Sequence, residues 1–122
     1  MDFHLNDEQR AFADAVAKFA EKELAPGALE RAHSPEYPWE IAQKISAQGL
    51  LGIAFPEKDG GMGGTLMDAV IAIQEVALHC PKSADVVQAG NFGAIRTFVE
   101  YASEEQKEKY LPDLLAGKKI LG

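Results

Sequence analysis

Five consecutive positions, 60–64, hold four glycines: Gly60, Gly61, Gly63 and Gly64, directly after Pro56-Glu57-Lys58-Asp59. Glycine runs do chemistry when their backbone amides cradle a phosphate ahead of a helix. This spacing fits neither known cradle. Counted from Gly61, the sixth position of a dinucleotide fingerprint is Leu66, and no strand pattern precedes the run. No Lys-Ser or Lys-Thr follows, which excludes a P-loop. The run therefore predicts a structural turn whose backbone needs positive φ or close approach.

Other reactive side chains are scattered. His79 and Cys80 are adjacent, and neighbours on a helix point roughly 100° apart, so they share no ligand face. His4 and His33 lack an i+4 partner and a Glu between paired histidines. No metal ligands are expected. Among the carboxylates, Glu75 and Asp85 alone have apolar sequence neighbours of the kind that raise a general base's pKa. Glu104, Glu105 and Glu108 interleave with Lys107 and Lys109 and read as weak surface pairs. The residues themselves disclose no catalytic set.

The elements that position these groups read as helices. Asn6-Asp7-Glu8-Gln9 has the capping-box pattern, and Phe12, Ala15, Val16, Phe19 and Ala20 form one apolar stripe after it. Pro26-Gly27 should interrupt this helix, with a resumption over 28–32. A second helix follows Pro38 with Ile41, Ala42 and Ile45 inward, and Gly49 ends it. Residues 50–55 suit a buried extended link. A third helix carries Leu66, Ala69, Val70, Ile73, Val76 and Ala77, and Pro81 closes it. Ser83 caps a fourth, running through Val86, Val87, Ile95, Phe98 and Val99. Gly90 and Gly93 inside it cost about 1 kcal/mol each against alanine, which implies a close approach by a helix or a ligand. Ser103-Glu104-Glu105-Gln106 opens a short helix ending near Pro112, and a last turn holds Leu114, Leu115 and Gly117. The aromatic residues Trp39, Phe55, Phe92, Phe98, Tyr101 and Tyr110 are expected in the core. No period-2 segment is sustained, so the fold class is all-α, a bundle of five to six helices.

Composition sets the bounds. The chain has 122 residues, 47% hydrophobic and 25% charged, which suits one globular domain. Twelve Lys+Arg against nineteen Asp+Glu give a net charge of −7, which opposes nucleic acid and anionic membranes as partners. The single cysteine excludes an internal disulfide and suits the cytoplasm or another reducing compartment. The first eight residues lack the basic and apolar regions of a signal peptide, and no apolar run spans a membrane. The end at Lys119-Ile120-Leu121-Gly122 is apolar, as if cut at the start of something else.

Several runs, in order, resemble one family. Phe19-Ala20-Glu21-Lys22-Glu23-Leu24-Ala25-Pro26 resembles the first helix of the acyl-CoA dehydrogenases. Gly49-Leu50-Leu51-Gly52-Ile53, followed by Pro56-Glu57-Lys58-Asp59-Gly60-Gly61-Met62-Gly63, is similar to that family's glycine segment. Positions 68–76, Gly90-Asn91, and Ser103-Glu104-Glu105-Gln106-Lys107-Glu108-Lys109-Tyr110-Leu111-Pro112 with Gly117 continue the likeness, while Ala102 replaces a frequent glycine. The resemblance covers essentially the whole chain. It implies an N-terminal helical domain over 1–122, with the family's middle β domain and C-terminal helical domain absent. Ile120-Leu121 would begin the first strand of that missing β domain.

The resemblance also implies function. The parent would be an FAD-dependent oxidoreductase of fatty acid metabolism that places an α,β double bond in an acyl-CoA thioester. The base and most flavin contacts belong to the absent domains, so the chain alone should be inactive and bind no FAD. Carried over by position, Asp85, Val86, Ala89, Gly90 and Gly93 line the acyl-chain cavity, with simple helix packing an equal alternative for the glycines. Phe19, Leu50, Met62 and Ile71 would dock electron-transfer flavoprotein. A homo-oligomer is expected. Acyl-CoA oxidases and flavin monooxygenases share such a domain. An alternative of another class is a stand-alone helical interaction or assembly module that kept the fold without the chemistry.

Overall fold

The computed structural model describes residues 4–121, so Gly122 and the first three residues lie outside the described region. Seven α-helices occur among the described residues: α1 Asp7–Phe19, α2 Ala28–His33, α3 Trp39–Ala47, α4 Leu66–Ala77, α5 Pro81–Ala89, α6 Ala94–Tyr101 and α7 Glu104–Leu115. A π-helical turn, Ala20–Leu24, extends α1, and a 3-10 turn, Glu57–Asp59, precedes the glycine run. No described residue is in a β-strand. Among the described residues, no helix is long and apolar enough to cross a membrane.

Local chemistry explains the boundaries. Asn6, Thr65 and Ser103 each cap a helix through a reciprocal capping box with Gln9, Asp68 and Gln106. The π turn adds a residue, so that Val16, Ala20 and Leu24 all stay on the buried side. Ala13 joins that stripe and Ala15 is exposed, contrary to the expected pattern. Gly27 then adopts φ +77°, and α2 begins.

Helix α4 packs between α1 and α5. Ala69, Ala72 and Val76 face the main core, whereas Leu66 and Val70, expected inside, are about half exposed. Pro81 opens α5 instead of only closing α4: it sits in the first turn, where its missing N–H costs nothing. A second, smaller core joins Phe55 to Ile95, Val99, Leu111 and Leu114. Helix α7 runs through Pro112 to Leu115, because inward Leu111 and Leu114 outweigh one lost hydrogen bond near the helix end. Tyr101 is exposed rather than packed, and Trp39 and Tyr110 are partly exposed.

The expected fourth helix is two helices, α5 and α6. The break follows from Asn91, which is buried. Its Nδ2 donates to the carbonyl oxygens of Val87 (2.7 Å) and Leu50 (2.9 Å), and its Oδ1 accepts from Ile53 N–H (2.7 Å). The side chain thus takes the Val87 carbonyl that the next helical amide would use, and Asn91 N–H turns to Gln88 instead. Gly93, at φ +72° and ψ −132°, completes the reversal in a region closed to other residues.

Asn91→Ala would leave one buried amide and two carbonyls without these partners. At about 1–3 kcal/mol per unpaired buried group, the chain should lose about 3 kcal/mol or more. Equilibrium urea unfolding measures this. Asn91→Asp keeps only the acceptor for Ile53 and should not restore stability. A loss below ~1 kcal/mol for Asn91→Ala, the size of one ordinary exposed bond, would place the tether elsewhere.

Candidate functional site

The glycine run is fully occupied by its own chain. Gly60 N–H donates to Glu57 O (2.9 Å) and Gly61 N–H to Pro56 O (3.0 Å). Met62 N–H reaches Gly52 O (3.0 Å), Gly63 N–H reaches Phe55 O (2.9 Å), and Gly64 N–H reaches Ile53 O (2.7 Å). None of these five amides is left for a phosphate. A Cβ at Gly61 would sit 2.3 Å from Phe55 O, so the absent side chain makes room for backbone. The residues here do not fit a flavin pyrophosphate.

The loop is also tied to α7. Lys107 Nζ lies 3.5 Å from Asp59 Oδ1 and 3.4 Å from Glu104 Oε1. Side chains of Lys107 and Asp59 are only 11% and 4% exposed. The expected surface pair on α7 is therefore partly a buried tether, and removing Lys107 would strand the Asp59 charge, whereas Lys107 without Asp59 keeps Glu104.

Two hollows collect four of the sequence-predicted site residues, Val86, Ala89, Gly90 and Met62. The first is a cleft of about 20 Å³ at the C-terminal end of α5. Val86, Ala89 and Gly90 line it beside Tyr37, Leu51 and Ile95, with residues 119–121 along its edge. Asp85 is exposed and lies outside the lining, as does Gly93, so neither belongs to this cleft. Residues 119–121 form no strand. Gly90 has an internal explanation: a Cβ there would meet Leu51 Cδ2 at 2.4 Å. A close approach by Leu51 thus accounts for its missing side chain.

The second hollow, about 420 Å³, lies among Phe12 of α1, Gln48 and Gly49 after α3, Ile53, Met62 and Asp68 of α4. Met62 is 55% exposed and lines it as expected. Leu50 (3% exposed) and Ile71 (4%) are buried and offer no docking surface in this fold. Phe19 is half-buried against the main core and does not line the hollow. Phe12, one heptad earlier on the same stripe, takes that place; the stripe pattern carried this signal.

Elsewhere, Cys80 is fully buried. Burial disfavours its thiolate, but hydrogen bonds from Ser83 and the Arg31 guanidinium hold its pKa below the ordinary thiol value. Among the described residues, no three His, Cys, Asp or Glu side chains gather to hold a metal.

Residues 6–118 match the family model "Acyl-CoA dehydrogenase, N-terminal domain". The chain is 35% identical to the short-chain specific acyl-CoA dehydrogenase of Clostridium acetobutylicum, over 98% of this chain and 32% of that protein. It is 37% identical to the acryloyl-CoA reductase (NADH) of Anaerotignum propionicum, over 98% of this chain and 30% of that one. Butyryl-CoA dehydrogenase from Megasphaera elsdenii superposes with a TM-score of 0.82 at 33% identity, covering 98% of this chain and 32% of its own. The chain thus spans about a third of the length of the curated relatives it matches.

Alanine is sterically allowed at Gly90 by its φ of −86°, so the cost of Gly90→Ala arises from Leu51. Overpacking of this kind costs about 1–3 kcal/mol. In a Leu51→Ala background the same change should cost at least ~0.5 kcal/mol less, because the two side chains touch. Chemical denaturation of the four proteins in this cycle gives the coupling. Additive effects would show that another neighbour excludes the side chain.

Proposed function

The chain belongs to the acyl-CoA dehydrogenase N-terminal domain family, and from that premise we propose that it forms the helical N-terminal part of a flavin-dependent enzyme that introduces an α,β double bond into an acyl-CoA thioester. The carrying observation is the apolar cleft at the end of α5, where Val86, Ala89 and Gly90 meet Leu51 and Ile95. An alkyl tail gains free energy only where apolar walls replace water, at about 0.8 kcal/mol per methylene buried. Within this chain the cleft, at about 20 Å³, holds only about one water, so on this reading Val86 and Ala89 form one wall of a tail site that the rest of the enzyme completes, while the space beside Gly90 is taken by Leu51.

The reaction needs a base for the α-proton and an acceptor for the β-hydrogen. FAD, bound in the complete enzyme, supplies the hydride acceptor. This chain supports neither role: no carboxylate lines the cleft, and the glycine-run amides are spent internally. Its own part is to hold the tail and keep water from it. Tail binding remote from the reacting carbons can then be spent on orienting them. The isolated chain is inactive on this reading.

The second hollow supports docking of electron-transfer flavoprotein. Phe12, Ile53 and Met62 give it an apolar floor, and Glu8 and Asp68 give it an acidic rim. An apolar side chain flanked by basic residues would complement both features.

Three measurements test these assignments. In a complete enzyme containing this chain, Ala89→Phe should lower kcat/KM for acyl-CoA thioesters at least ~10-fold, by filling the cleft. Unchanged kinetics would remove the cleft from substrate binding. Met62→Asp should weaken electron-acceptor binding about tenfold by placing a charge on the apolar floor; Leu50→Asp is unsuitable, since it would bury that charge. Equal affinity would reject the docking hollow. The purified chain should show no flavin absorbance and no acyl-CoA-dependent dye reduction, and a yellow preparation would overturn the division of labour.

A further inference from the structure

We propose that Gly27–Ser34 is a strap that opens on its own while the rest of the bundle stays folded, and that Arg31 and Lys82 are the latch that keeps it shut. Between buried Leu24 and buried Ile41, no residue is buried. Helix α2 lies in this stretch, and a helix of six residues is marginal in water without outside support. Leu29, its largest apolar side chain, is 74% exposed. Ala28 packs against the main core, but only partly buried.

Both ends of the segment favour a hinge. Gly27 has φ +77°, in the left-handed region that glycine enters freely. At the other end Pro35 follows Ser34, which is extended at φ −86° and ψ 135°. The backbone bonds at the two ends are local: Ala28 N–H to Ala25 O (3.1 Å), Arg31 N–H to Gly27 O (3.0 Å) and Ser34 N–H to Arg31 O (3.1 Å). They tie the strap to no distant element.

Two cationic side chains make that attachment. Arg31 Nη2 donates to Leu24 O and lies 3.7 Å from Cys80 Sγ. Lys82, on α5, reaches the opposite way: its Nζ donates to Arg31 O (2.8 Å) and Ser34 O (2.5 Å). Hydrogen bonds from charged donors are the stronger class, so a few of them can hold a segment that buries little. The closed state carries a cost as well. Arg31 Nε is buried without a hydrogen-bond partner, and water would meet it once the strap lifts. Because Arg31 lies against the fully buried thiol of Cys80, lifting the strap uncovers that thiol.

Cys80 is the single cysteine, so its reaction with dithiodipyridine reads the opening in the full chain. The thiolate attacks one reagent sulfur, a mixed disulfide forms, and the released thiopyridone is followed by absorbance. In the native chain the rate should be flat in urea up to the start of the unfolding transition, because opening exposes little surface. Lys82→Met removes the donors and keeps the stem, and it should react at least about tenfold faster. Lys82→Arg, which keeps charged donors, should restore most of the protection. Val99→Ala, in the second core, should lower the urea midpoint and leave the rate at the native value. Hydrogen exchange of the native chain decides if Lys82→Met does not fold: Arg31 and Ser34 amides should exchange by a urea-insensitive opening, and Val76 and Val87 amides only with the whole chain. A native labelling rate that climbs with urea as the chain unfolds, a faster rate in Val99→Ala, a Lys82→Met rate equal to native, or Arg31 and Ser34 amides that exchange only on global unfolding overturns the strap.

Discussion

Residues 50–55 cross the interior without regular secondary structure, so their peptide groups cannot pair in a helix or sheet. Leu50, Leu51, Ile53 and Phe55 are all buried, and water cannot serve those groups either. Asn91 meets the need from one side, through Leu50 O and Ile53 N–H. The glycine run meets it from the other, through the carbonyls of Gly52, Ile53 and Phe55. Buried groups left unpaired cost about 1–3 kcal/mol each, so this segment holds its place only while both sides do.

That requirement shapes both hollows. Gly90 O accepts from Gly52 N–H (2.9 Å), which brings the end of α5 against the link and leaves Leu51 in the space a Cβ at Gly90 would need. The cleft is thus bordered by Gly90, whose carbonyl also satisfies the link. On the opposite side, Met62 N–H is held by Gly52 O, and this places Met62 over the second hollow. A change in the link would therefore move both surfaces together.

The helices were legible in the sequence at most caps and stripes, but Ser83, the expected cap of the fourth helix, lies inside α5, whose N-cap is Cys80. The capping boxes at Asn6 and Ser103 and the interruption at Pro26-Gly27 stand as expected. The turn at Gly60–Gly64 also stands, for the stated reason that glycine lets backbone approach backbone. What was not legible depended on long-range partners. The α5–α6 break comes from an asparagine bonded to residues 38 and 41 positions away, which no local pattern encodes. The exposure of Leu66 and Val70, and the burial of Ile71, follow from how α4 sits between α1 and α5. Of the predicted cavity residues, Val86, Ala89 and Gly90 come together because they share the inward end of α5. Asp85 and Gly93 share its sequence neighbourhood but not that face.

A domain without a proton-moving group can still govern a reaction at a distance. Each methylene held by apolar walls contributes about 0.8 kcal/mol, comparable to an ordinary net hydrogen bond. That energy favours catalysis only if the walls are rigid, since a yielding cleft lets the tail adopt many depths and loses orientation. Rigidity here does not come from the cleft residues, which apart from Tyr37 and Lys119 are small or aliphatic. It comes from the polar contacts beneath them: Asn91 across the link, the loop amides behind it, and the nearly buried Lys107–Asp59 pair joining loop to α7. Polar groups in the interior thus fix the shape that the apolar surface presents, and on the proposed reading this is how the glycine run serves acyl-CoA chemistry without touching a phosphate.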